Sequence, residues 1–139
     1  MAIAQGKRLE STDVDVDLRL SGKVVSRFCV DKAFSLEILE KGARTVIRIG
    51  GRMSIEHGGV VVTLSGENPT EATKASILLG KTIGKATGRK DGSLDVGFAD
   101  GYRLTVPVDL DYEAWELRGS GGFLVVSRPG GGLAIWDSK

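Results

Sequence analysis

The sequence predicts a mainly β fold with one short helix: two related antiparallel β-meanders packed as one β-sandwich or barrel-like domain. Three observations predict it. Apolar residues alternate with polar ones in short runs rich in Val, Ile, Thr and Phe, the period of a half-buried strand. Glycine, 20 of the 139 residues, punctuates those runs at turn positions. Only one segment combines a helix start, apolar residues three to four apart and a helix stop.

Taken in order, residues 1–12 are polar and aperiodic and read as a flexible N-terminal tail. A single domain follows over 13–139. Asp13 to Leu20 alternate strictly, so this stretch is expected to be extended. After Ser21-Gly22, Val24 to Val30 is a strand and Phe34 to Leu39 its hairpin partner. Lys41-Gly42 turns the chain into Thr45–Ile49, which Gly50-Gly51 ends. Met53–Glu56 and Val60–Leu64 pair around His57-Gly58-Gly59. The helix spans Asn68 to Leu79: Asn68 caps it, Pro69 suits its first position, and Ala72, Ala75 and Leu79 share a face before Gly80. Strands resume at Thr82–Arg89, Ser93–Phe98 and Tyr102–Val108, with Asp91-Gly92 and Asp100-Gly101 as hairpin turns. Ala114–Arg118, Phe123–Ser127 and Leu133–Trp136 complete the set.

The chain resembles itself. Leu20-Ser21-Gly22-Lys23-Val24-Val25 falls on Leu78-Leu79-Gly80-Lys81-Thr82-Ile83 at a shift of 58, and Ser35–Ile38 falls on Ser93–Val96. Two half-repeats, about 18–64 and 76–137, are expected to bury their apolar faces against each other.

Composition narrows the function classes. Nineteen Lys and Arg against eighteen Asp and Glu leave a net charge of +1, which argues against nucleic acid as the partner. Aromatics are only 6%, too few to interleave with bases on a nucleic-acid-binding sheet. The single cysteine, Cys29, fits a reducing, cytoplasmic setting. No apolar stretch approaches the length that spans a bilayer, and residues 1–8 lack a signal-peptide core, so no membrane role is expected.

The chemistry-bearing residues are sparse. Asp13, Asp15 and Asp17 start like a calcium loop, but Leu18 and Val24 stand where that loop needs Gly and Glu. Cys29 and His57 are too few to close a structural zinc site, and a catalytic pair of them would lack a third group. A hydrolase centred on Cys29 or Ser120 has no motif behind it. No cofactor fingerprint occurs. Arg118 and Arg128 flank the turns Gly119–Gly122 and Pro129–Gly132, whose backbone could cup an anion. Charge is uneven: residues 72–90 hold five bases and no acid, whereas 91–116 hold seven acids and one base. In an extended segment Asp109, Asp111 and Glu113 would share one face, and with Glu116 they form an acidic surface suited to a basic partner. Tyr112 lies inside it. Trp115 and Trp136 are expected in the core.

The most distinctive motifs are Tyr112-Glu113-Ala114-Trp115 and Pro129-Gly130-Gly131-Gly132-Leu133-Ala134-Ile135-Trp136, together with Phe98–Pro107. On these the chain resembles a family of small actinobacterial proteins, a domain of unknown function, over about residues 15–137. The resemblance carries no catalytic residue. By analogy with small actinobacterial proteins that neutralise toxins, it implies an immunity or antitoxin-like role.

The function expected from the sequence is therefore a non-catalytic protein-binding module with no cofactor. Its binding residues are Asp109, Asp111, Tyr112, Glu113, Glu116, Arg118 and Arg128, and its partner is a protein, with a toxin as one candidate. The alternative is a small-ligand or nucleotide binder with a pocket between the two halves. An open strand edge would also allow two copies to form a homodimer.

Overall fold

A computed structural model describes residues 7–9 and 14–137. In chain order the elements are β1 (Lys7–Leu9), β2 (Val16–Asp17), β3 (Arg27–Val30), β4 (Phe34–Glu40), β5 (Ala43–Ile49), β6 (Arg52–His57) and β7 (Val60–Ser65). Helix α1 (Pro69–Ala72) and a 3-10 turn (Thr73–Leu78) follow. Then come β8 (Ile83–Gly88), β9 (Leu94–Phe98), β10 (Arg103–Val106), β11 (Trp115–Arg118), β12 (Leu124–Ser127) and β13 (Leu133–Asp137). The strands form two antiparallel sheets packed face to face and not closed into a barrel. One sheet has the order β1-β13-β12-β11-β5-β4-β3 and the other β2-β8-β9-β10-β6-β7.

The sheets do not correspond to the two halves. The meander β3-β4-β5 is continued by β11 and β12 from late in the chain, whereas β8-β9-β10 is continued by β6 and β7 from early in it. Each half therefore crosses between sheets. Within the halves one crossing runs through Gly50-Gly51 and the other through residues 107–114, and ahead of them the chain also passes between sheets from β2 to β3 through residues 18–26. The main core is one continuous cluster holding Phe34, Leu36, Ile47, Met53, Val96, Leu104, Trp115 and Val125, contributed by both sheets, whereas Trp136, expected in the core, is half-buried against a separate small cluster of Leu124, Val126 and Ala134.

The two Gly-Lys turns meet. Gly22 N–H donates to the Ile83 carbonyl (2.7 Å) and Ile83 N–H to that of Lys23 (2.7 Å). Gly80 N–H donates to Val25 (2.9 Å) and Val25 N–H to Lys81 (3.0 Å). Exchanging each residue for the one 58 positions away converts the first pair of bonds into the second. Gly22 and Gly80 also share a left-handed backbone, φ +83° and +84°, that a side chain would strain.

Several expectations need correction. The tail reading of 1–12 falls partly outside the described residues, and within it β1 pairs with β13, Arg8 opposite Trp136. Asp13 also lies outside the described residues. The alternation up to Leu20 yields only the two-residue β2, because Arg19 takes φ +66° while its N–H bonds the Asp17 carboxylate at 2.9 Å. Val24–Val30 joins β4 only from Arg27, since Val25 is bonded to Lys81 instead. The Asn68 cap forms, accepting from Thr70 and Glu71 N–H. The helix, however, tightens after Ala72 into a 3-10 turn. Ala72, Ala75 and Leu78 are buried, matching three residues per turn, and Leu79 is exposed.

Trp115 clasps the sheets together. Its indole Nε1 donates to the Gly92 carbonyl (2.9 Å), which also accepts from Ser127 Oγ (2.8 Å). Gly88 leaves room for the ring: a Cβ there would stand 3.2 Å from Trp115 Cη2. On the outer face of the first sheet, Glu37 is buried and accepts two bonds from Arg44, each 3.1 Å. The Arg44 hydrogen bond holds the Glu37 carboxyl below its ordinary value of 4.5, against the opposing cost of burial.

Trp115→Ala is expected to destabilise the fold by about 3–5 kcal/mol, because it leaves a cavity between the sheets. Ser127→Ala is expected to cost about 1 kcal/mol, since the Gly92 carbonyl keeps its indole donor. Urea titration of both variants checks the ordering. The Glu37 contribution is complete above pH 4.5 and is lost as pH falls through the lower folded pKa. Glu37→Gln is expected to flatten the stability–pH curve in that acid window and nowhere else.

Candidate functional site

The crossings at Gly50-Gly51 and 107–114 lie at the same end of the sandwich, and they hold each other. Gly50 and Gly51 N–H both donate to the Ala114 carbonyl (3.1 and 3.3 Å), and Gly66 N–H donates to Gly51 (2.8 Å). The approach of Gly66 admits no side chain, because a Cβ would lie 2.4 Å from the Ile49 carbonyl oxygen.

Pro107 follows β10, and Asp109 then folds the chain. Its Oδ1 accepts from the N–H of Asp111 (2.8 Å) and of Tyr112 (3.3 Å). This Asx turn bends the chain over 109–112, so the single extended face on which Asp109, Asp111 and Glu113 would line up does not form, because the carboxylate takes the N–H groups a strand would offer to a neighbour. Asp109, Asp111 and Glu113 therefore lie around a bend rather than along one face. The Asp109 carbonyl accepts from Gly130 N–H (2.8 Å), so the loop at 128–132 braces the bend from beside it.

What the bend presents is apolar as well as acidic. Leu110 is 81% exposed and Tyr112 46%. A recess of about 480 Å³ lies against the bend, lined by Gly50, Arg52, Glu67, Val108, Asp109 and Tyr112 among others. Tyr112 also borders a second depression of about 230 Å³, with Lys32, Arg48, Glu113, Trp115 and Glu116. Asp109, then Glu67, pushes the Tyr112 phenol above its ordinary value, because neighbouring carboxylates disfavour a phenolate.

The sequence-predicted residues divide. Asp109, Asp111, Tyr112 and Glu113 are together on the bend. Glu116 stands on β11 at the second depression, bonded by Arg118 Nε at 2.8 Å. Arg118 lies further along that strand opposite Val46; it lines neither recess and meets the second only through its bond to Glu116. Arg128 is exposed at the base of the bracing loop. The loop at 128–132 is a tight turn and not the anion cup its glycines could have formed, since the N–H groups of Gly130, Gly131 and Gly132 are spent on Asp109, Arg128 and Asp91 carbonyls. Leu110, Arg52 and Glu67 were missed. Leu110 had a signal, an apolar residue between two aspartates after a proline, but Glu67 and Arg52 arrive from distant segments.

Cys29 and His57 stand in different sheets. Cys29 Sγ is 3.7 Å from the Glu37 carboxylate, whereas His57 stacks on Tyr102 with centroids 4.0 Å apart. Among the described residues no three His, Cys, Asp or Glu side chains are grouped to hold a metal, and no helix is long and apolar enough to cross a membrane.

Fold and site define an open two-sheet β-sandwich that displays a braced acidic bend where its strands cross. The chain belongs to a family of unknown function (DUF6188), whose model matches residues 16–137. No curated protein and no solved structure matches it.

Asp109→Asn is expected to lower the Tyr112 pKa toward that of an ordinary tyrosine while keeping the turn's acceptor oxygen. Alkaline difference absorbance in a Tyr102→Phe background, which leaves one of the two tyrosines, reads the shift. An unchanged titration would contradict the placement of the carboxylate.

Proposed function

We propose that this protein is a non-catalytic protein-binding module that docks a basic partner on its crossover bend. The observation that carries the reading is the pairing of exposure with bracing: Leu110 and Tyr112 stand out from a loop held by Asp109, Gly130 and the Ala114 contacts. A large aromatic and an aliphatic side chain ringed by carboxylates is the composition of an interface anchor with a charged rim. Bracing reduces the ordering cost of association. The carboxylates would steer a basic surface toward the anchor and make docking salt-dependent.

In its finer form the proposal is an immunity or antitoxin-like factor that neutralises a toxin. It acts in the cytoplasm, which suits its lone thiol, and within an actinobacterium, on the motif resemblance alone. The exchange of hydrogen bonds between the two Gly-Lys turns supports reading the halves as an internal repeat. The second reading, a small-ligand or nucleotide binder, is favoured by the recess of about 480 Å³, a volume typical of ligand pockets.

Affinity capture from the native host separates the readings. The wild-type chain is expected to enrich one protein, and the triple variant Asp109→Lys, Asp111→Lys, Glu113→Lys to lose it; raised salt should weaken the capture. Recovery of the chain alone under gentle conditions contradicts the binding reading. A metabolite stabilising the protein by about 3 kcal/mol, as a ligand at a hundred times its Kd would, favours the second.

A further inference from the structure

Sheet edges are where β proteins meet other chains unless charge, proline or shortness blunts them. The outer strands of the two sheets are β1 and β3, and β2 and β7. Three carry a block. β1 is only three residues long, β3 begins at Arg27 and runs into Asp31-Lys32, and β2 is two residues long between Asp15 and Arg19. β7 carries none. Its six residues, Val60-Val61-Val62-Thr63-Leu64-Ser65, include no charge and no proline. Val60, Val61 and Val62 are 65%, 58% and 45% exposed.

The backbone of this edge is open over a defined length. Gly58 and Gly59, both at positive φ, make a two-residue turn that pairs His57 with Val60. The antiparallel ladder then alternates, so Val60, Val62 and Leu64 bond inward to β6, and Val61 and Thr63 direct N–H and C=O away from the sheet. The next outward donor, Ser65 N–H, is taken by Glu71 Oε1 at 2.9 Å. No other hydrogen bond among the described residues reaches the main chain of Val61 or Thr63. The open edge is thus two donors and two acceptors, closed at one end by the turn and at the other by the helix cap.

That pattern is complementary to itself. An antiparallel copy placed with a twofold axis at Val62 sets Val61 opposite Thr63 of the copy, which satisfies all four groups. Val62 then faces Val62, and Leu64 faces Val60. Extending the β6–β7 register, the row across the axis reads Ile55, Val62, Val62, Ile55, and the flanking row on that face Met53, Leu64, Val60, His57. On the opposite face Glu56 and Val61 continue into Thr63 and Ser54 of the copy. No like charges are set directly opposite, the arrangement that would oppose such pairing. An apolar groove of about 320 Å³ beside β7, walled by Val60, Val62, Ile77 and Tyr102, would be covered along with it.

We propose that two copies of this chain pair through β7, antiparallel about a twofold axis at Val62, joining their smaller sheets into one. The pairing does not rest on the acidic-bend reading.

Sedimentation of the full-length chain tests it. Wild type is expected to sediment at twice the chain mass. Val62→Lys and Val62→Glu, each placing like charges face to face at the axis, are expected to sediment as monomers with unchanged far-ultraviolet circular dichroism. An equimolar mixture of the two is expected to recover the dimer mass, because the charges then oppose. A wild-type monomer at millimolar concentration overturns the proposal, even if β7 binds another protein's strand. So does a dimer that survives in both single variants, or a mixture that stays monomeric while wild type dimerises.

Discussion

Everything in this molecule depends on strands changing sheets. β5 leads through two glycines into a strand of the opposite sheet, and β10 leads through the acidic bend back the other way. Neither half can therefore bury its own meander without the other half's hairpin beside it. Trp115 is placed where this matters most. It begins β11 after the second crossing, and its ring reaches the turn between β8 and β9 in the facing sheet. Hydrophobic burial supplies most of the cohesion, but the indole and Ser127 bonds to one carbonyl fix how the two sheets align.

The same topology builds the surface. A chain that crosses between sheets must run from the end of one strand to the start of another, and here the residues linking β5 to β6 and β10 to β11 collect at one end of the sandwich. In this protein they are packed tightly enough that Gly66 tolerates no side chain beside Ile49. A loop held on three sides can display Leu110 and Tyr112 without ordering them anew on contact. Scaffold rigidity and exposed apolar area are thus two consequences of one crossing, which is why functional groups on a sandwich gather at loop ends. The Asp109 side chain serves both roles, since its carboxylate closes the turn and raises the Tyr112 pKa.

Much of this was legible in the sequence, and the reasons are local. The hairpins around Lys41-Gly42, Gly58-Gly59 and Asp100-Gly101 announce themselves because each needs a glycine at positive φ between alternating strands. The Asn68 cap is equally local. Misreadings arose where one residue's side chain or backbone departs from its neighbours' pattern: Arg19 turning left-handed, Ala72 tightening into a 3-10 turn, Asp109 capturing two amides. The pairing of β5 with β11 was illegible, since Ile47 opposite Leu117 joins positions seventy residues apart. So was the meeting of Glu67 and Arg52 with the bend. Sequence periodicity states which face of a strand is apolar, but not which strand lies beside it.

The claim that one interleaved core holds both sheets is tested most directly by dividing the chain in the segment between β7 and α1. Circular dichroism of the fragments 1–67 and 68–139, apart and mixed, reads the outcome. Each alone should lack a cooperative thermal transition, and the mixture should regain one together with buried Trp115 fluorescence. A fragment that melts cooperatively by itself would contradict the account, because that half would then possess a core of its own.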